Sequence, residues 1–334
     1  MEYRSYERLC NVDFLRMVLV SAVAVHHFYH TLTGQWNNGG YAVEFFFIIS
    51  GFMFNHSFNP STSVEKFLTK KLIRLWPLQA FLSLISGLIM NEAHFDLYKY
   101  LTDFFMLSKT GLHKGSSGGF GYLTVAWFIC VLFWILLFYF YSKKIMLPSV
   151  FNLIFGTITF ASLFVRITWE IPDSCRLIRG LGAFGIGYFC FELCKSIHSN
   201  EGQKGKHSIL VSCLELLLLA YFTKTLFRMK PVQGPVIFEI LMGMFLVILY
   251  IKKGYVSSFL DKPIFSKVAQ VVFSVYLSHT VFYYSPIIKI LNNTVFHNPK
   301  ITCIFGVIIS FAFGSFIWYL LDRPVSKYLK ERFL

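Results

Sequence analysis

Charge is what this chain has least of. Only 14% of its 334 residues are Asp, Glu, Lys or Arg, against about 25% in soluble domains. Hydrophobic residues make up 55% and aromatic residues 19% of the chain, and the mean hydropathy is +0.58, so an ordinary soluble domain is excluded. Acidic residues are the scarcest, 17 against 31 Lys and Arg, for a net charge of +14. In a soluble protein that excess would point to nucleic acid. Here the cations lie mainly between apolar runs, where membrane orientation puts them, and no nucleic-acid partner is expected. Cysteine is sparse too: 7 residues, none in Cys-x-x-Cys, which excludes a disulfide framework. Cys190 and Cys194, one helical turn apart in an apolar run, read as packing residues. There is no Walker loop and no internal repeat. Nor is there an inverted pair of Gly/Pro-broken spans, the usual mark of a secondary transporter.

What is present is a series of apolar runs of spanning length, roughly 17–25 residues. They fall near 12–32, 41–58, 71–91, 121–142, 149–168, 176–195, 208–227, 235–252, 268–291 and 300–321, the second and eighth being the shortest. The expected fold is an all-α polytopic membrane protein, about ten transmembrane helices in one bundle, with 1–334 forming a single domain. Ala22-Val23-Ala24 has the look of a cleavage site, but Asp13 and Arg16 break the apolar core before it, so the first run reads as a retained helix. The stretch 97–108 holds Lys99 and Asp103 and reads as an interfacial helix. An even number of spans puts both termini on one side. Nineteen Lys and Arg then lie on that side and eleven on the other, with Arg16 left out. The excess places the termini in the cytoplasm and the chain in the cell membrane. Lys114 to Gly121 reads as an outer loop; its Gly-x-Ser-x-Gly string around Ser117 lacks the strand and helix of a nucleophile elbow.

Because charge is so scarce, the ionisable residues inside the runs carry the information. Arg16 and His27 are eleven apart on the first run, about 20° from superposition and ~16 Å apart along the axis. His30 shares that face and His26 does not, which argues against a three-histidine metal set. One stripe thus has a cation near one end and an imidazole deep in the bilayer. An imidazole there can accept a proton from a hydroxyl, and a carboxylate can orient it; Glu44, early in the second run, is the candidate. The plain alternatives are an interhelical hydrogen-bonding histidine and an interfacial glutamate. Lys71 and Arg74, three apart at the start of the third run, can clamp phosphates or serve only as a positive-inside anchor. Glu215 and Glu239 lie inside runs, with Arg176, Arg179 and Arg228 as possible partners. Ser50-Gly51 and the Gly-x-Gly-x-x-Gly string from Gly180 to Gly185 read as close helix packing, since no strand precedes the latter.

Several of these stretches together resemble the acyltransferase 3 family of multi-pass membrane acyltransferases that O-acylate surface glycans. They are Leu15-Arg16 with His27, Val43 to Phe52, Lys71-x-x-Arg74-x-x-Pro77, Ala126-Trp127-Phe128 and Phe273 to His279, with Asp322-Arg323-Pro324 near the end. The chain has no His-x4-Asp, the signature of the glycerolipid acyltransferases. The resemblance implies transfer of an acyl group, acetyl first among the choices, from acyl-CoA to a sugar hydroxyl of a surface polysaccharide or glycolipid. It makes His27 the base with Arg16 and Glu44 beside it and puts Lys71 and Arg74 on the CoA phosphates. Tyr276 and His279, three apart on one face of the ninth run, read either as the wall of an acyl tunnel or as core packing. Three residues depart from the pattern: Lys71 stands for an arginine, Glu44 for an aspartate and Asp322 for a glutamate. Acyl-CoA would be the donor and a glycan or lipid-linked sugar the acceptor, with no metal. The competing reading is an exporter or flippase for a glycan intermediate, and a third is a structural subunit of a polysaccharide synthase.

Overall fold

The computed structural model describes residues 8–89, 95–111, 120–168, 176–200, 208–228 and 235–334. The first half contains α1 (Cys10–Thr33), α2 (Ala42–His56), α3 (Val64–Ile89), the short α4 (Leu97–Phe104), α5 (Trp127–Ile145), α6 (Pro148–Thr168) and α7 (Leu177–Asn200). The second half contains α8 (Ile209–Leu226), α9 (Pro235–Ile251), α10 (Tyr255–Leu260), α11 (Pro263–Val268), α12 (Val272–Tyr284), α13 (Ile287–Leu291), α14 (Pro299–Ile317) and α15 (Arg323–Phe333). No strand occurs among the described residues.

Each expected apolar run is helical, but not every helix is long enough to cross a bilayer. Among the described residues, eight are long and apolar enough. The two that fall short are α2, with 15 residues, and α9, with 17, the runs whose sequence is also shortest. At 1.5 Å per residue α2 covers about 22 Å, less than the ~30 Å of a hydrocarbon core. Its composition explains why that suffices. Apolar all round, it is buried on every side, packing on α7, α1, α9 and α5. Around it the burial falls off: an 18-residue apolar window of Thr124–Ile145 is 72% buried, whereas those of α6 and α8 are each 22% buried, with many large side chains turned outward. The α2–α7 contact depends on missing side chains. A Cβ on Gly51 would run into the Phe184 carbonyl, and one on Gly187 into the Ile48 carbonyl, so the two backbones lie directly against each other. That is the close-packing role read from Ser50-Gly51; in the Gly180–Gly185 string the corresponding close approach is Gly185 on Thr159 of α6.

Two runs are interrupted where proline dictates it. The run 268–291 is α12 followed by α13, because Ser285 is extended ahead of Pro286 and the helix stops there. At the other end, α14 continues through a π-helical stretch, Trp318–Asp322, into α15. Pro324 cannot donate to the ladder, and the wider turn before it takes up the mismatch. The stretch read as an interfacial helix holds the short α4, too short to span. In α4, Leu97 and Tyr98 are exposed, but Asp103 is fully buried. Its carboxylate accepts from the Ser83 hydroxyl at 2.7 Å and the Leu123 amide at 2.8 Å, so α4 is docked on α3 and on the approach to α5. The outer-loop string around Ser117 lies outside the described residues.

Candidate active site

Two cavities of similar size open in this bundle, of about 960 and 930 Å³. The first is reached at the end of α1 remote from the N-terminus. It is lined by His26 and His27 of α1, Trp36, Glu44 of α2, Arg166 of α6, Arg176 beside Arg179 of α7, and Tyr276 of α12. The turn after α1 sets this wall. Gly34 caps the helix at φ 70°, a left-handed conformation that favours glycine. Asn37 then accepts from the Gly39 amide at 2.8 Å and meets His26 Nδ1 at 3.0 Å. Trp36 stacks on His30 at 3.6 Å between ring centroids.

His27 stands among rings rather than charges: His279 at 5.4 Å, Tyr283 at 5.1 Å, His26 at 5.3 Å and Trp36 at 6.0 Å. Its Nδ1 and both ring nitrogens of the fully buried His279 have no hydrogen-bond partner among the described residues. Glu44 shares the cavity with His27, but the expected orienting pair is replaced by ion pairs. Its carboxylate accepts from Arg179 Nε, and Arg166 lies 3.8 Å from the same oxygen. Arg166 in turn grips Glu239 with two bonds of 2.5 and 2.7 Å. Both carboxylates are fully buried, and without these guanidiniums their desolvation would cost several kcal/mol each. Trp127 backs the arginines, with Arg176 over its ring at 4.5 Å and Arg179 at 5.6 Å.

The second cavity collects cations. Arg8 and Arg16, then Lys70, Lys71 and Arg74 of α3, and Lys330 of α15 line it, with Asp13 opposing them. Asp13 is nearly buried and accepts from Arg8 at 2.8 Å, Arg16 at 2.7 Å and the Ser266 hydroxyl at 2.7 Å. Arg8 and Leu334 both line this cavity, so the two described ends of the chain lie at the same end of the bundle. Tyr276 lines both cavities and donates to the Val125 carbonyl at 3.0 Å.

The structure therefore groups Arg16, Lys71, Arg74 and Tyr276 around one cavity, and His27, Glu44 and Tyr276 around the other. Arg16 is not brought to His27; helical rise keeps them apart. The three arginine partners suggested for the buried glutamates are also corrected. Glu239 pairs with Arg166, a residue that sequence marks only as a cation at a span end. Glu215 accepts from the backbone amides of Val256 and Ser257 at 3.1 and 3.2 Å, closing the start of α10. Asp13, which holds Arg8 and Arg16 in the cationic cavity, is a site-lining residue not singled out from the sequence. Its place three residues before Arg16, on the same helical face, was the available signal.

The family profile described as an acyltransferase domain, that of acyltransferase 3, matches residues 11–323. The chain belongs to the acyltransferase 3 family. No curated protein and no solved structure matches it. Membership makes it a multi-pass membrane acyltransferase. The match takes in all of the histidine cavity's lining and most of the cationic one's, with Arg8, Leu9, Lys330 and Leu334 outside it.

Proposed function

We propose that this acyltransferase 3 protein moves an acyl group, acetyl first among the choices, from acyl-CoA to a sugar hydroxyl of a cell-surface polysaccharide or glycolipid. The observation that carries the proposal is the pair of cavities meeting at Tyr276, one rich in cations and one walled by histidine, tryptophan and arginine. The cationic cavity suits the phosphates of CoA. Arg74 offers a planar fork and Lys71 a point charge, with Arg16 held in place by Asp13. With both chain ends at that cavity and most Lys and Arg on the terminal side, it faces the cytoplasm, where acyl-CoA is found.

In the other cavity the sugar hydroxyl meets His27. The imidazole takes the hydroxyl proton as the oxygen attacks the thioester carbonyl. The tetrahedral intermediate then expels the CoA thiolate, which recovers the proton from the imidazolium, leaving an ester and free CoA. Glu44 acts here as a positioning residue, anchoring Arg179 and Arg166 on the cavity wall. Tyr276 lies on the route between donor and base, and His279, fully buried and lining neither cavity, packs behind Tyr276 and His27. Holding the two substrates on either side of one partition supplies the orientation that such transfers need.

The test is mass spectrometry of the surface glycan from cells with and without the protein. The expected result is glycan in both, heavier by one acyl group per modified sugar when the protein is present. Glycan missing from the surface when the protein is removed would instead favour an exporter.

A further inference from the structure

The two cavities meet at Tyr276, where the wall between them includes a layer of three aromatic rings. Phe46 of α2, Phe128 of α5 and Tyr276 of α12 form a closed triangle, with centroids 5.6 Å apart for Phe128 and Tyr276, 5.8 Å for Phe46 and Phe128, and 6.0 Å for Phe46 and Tyr276. Tyr276 meets the other two rings edge to face and Phe46 is tilted against Phe128, all at spacings of packed aromatic pairs. The layer is thin. On α2, Val43 lines the histidine cavity and Phe46 the cationic one; Val125 and Phe128 repeat that change ahead of and within α5. Three helical residues rise only about 4.5 Å. Tyr276 is the one described residue that faces both sides, and its hydroxyl is latched to the Val125 carbonyl at 3.0 Å.

We infer that Phe46, Phe128 and Tyr276 form a collar that the acyl group must pass to reach His27, and that this collar restricts the enzyme to short acyl donors. The inference rests on the donor and acceptor sides assigned above. The thioester comes up from the cationic cavity, so its acyl chain is the part that must displace these rings. All three are only 4–8% exposed, and packed rings yield to small groups more readily than to long ones. A donor with a short chain needs one ring to swing aside, with Tyr276 leaving Val125. Each further methylene needs more room on a wall that has none.

The experiment uses membranes from cells producing the full chain, supplied with CoA thioesters from acetyl to octanoyl, each labelled in the acyl group. Label in the extracted glycan is read against membranes carrying His27→Ala. The parental protein should transfer acetyl well and octanoyl poorly. Phe46→Ala and Phe128→Ala should raise the octanoyl-to-acetyl ratio by at least about tenfold, the scale of a few contacts in an apolar pocket. The milder Phe46→Leu and Phe128→Leu serve if the alanine variants fail to insert, and should raise it in the same direction. An unchanged ratio in variants that still transfer acetyl overturns the collar and leaves the proposed function standing. Equal transfer of octanoyl by the parental protein, or loss of all transfer in well-inserted variants, also overturns it. No His27-dependent label from any donor overturns both readings.

Discussion

At the scale of single residues, the site divides into groups that can react and groups that hold. His27 lies among rings, its Nδ1 unpartnered among the described residues, and is the group that takes and returns the proton in the proposed reaction. Replacing it with alanine should reduce acyl transfer by about 10²–10⁴-fold, the usual contribution of a general base. Insertion should be unchanged, and labelled-donor transfer in matched membranes reads the effect. Arg166 and Glu239 belong to the holding class. Glu239→Gln leaves a guanidinium without its bidentate partner, and breaking a buried pair on one side costs about 3–5 kcal/mol. Thermal unfolding in detergent should show a markedly lower midpoint. The double change Arg166→Met with Glu239→Leu should recover part of the loss, because it removes both charges together.

At the scale of elements, α2 is the part to disturb. It is short and encased, and it meets α7 through backbone rather than side chains at Gly51 and Gly187. Gly187→Leu would force its side chain into the Ile48 carbonyl and part the two helices. Overpacking of that kind costs about 1–3 kcal/mol or more, and here it also displaces Glu44 and Phe46, which sit on the same helix. Folded protein recovered from membranes should fall sharply. Gly156→Ala on α6 is the contrasting case: its new methyl would meet only Phe189, at an ordinary 3.5 Å. Gain of helix propensity, about 1 kcal/mol for alanine over glycine, should leave that variant as stable as the parent or slightly more so.

At the scale of the whole molecule, the layout is polar. Both described chain ends and the cations Arg8, Arg16, Lys70, Lys71, Arg74 and Lys330 gather at one cavity, while the histidines and the Glu44–Arg179 network gather at the other. Tags fused to either terminus should therefore react with an impermeant reagent in inverted vesicles and be protected in intact spheroplasts. Labelling of either tag from outside would put the cationic cavity on the wrong side for acyl-CoA.

The helical class, the membrane setting, the stripe carrying Arg16 and His27, and the adjacency of Lys71 and Arg74 are legible in the chain. All of these follow from hydropathy and from the helical period, which relates residues a few positions apart within one element. Run length likewise marks α2 and α9 as the shortest. Which charges meet across helices depends on packing. Arg166 finds Glu239 across 73 positions and Arg179 finds Glu44 across 135, and a period within one helix says nothing about which helices become neighbours. The same is true of Tyr276: its motif is visible in the chain, but its place between two cavities exists only once α2, α5 and α12 have packed.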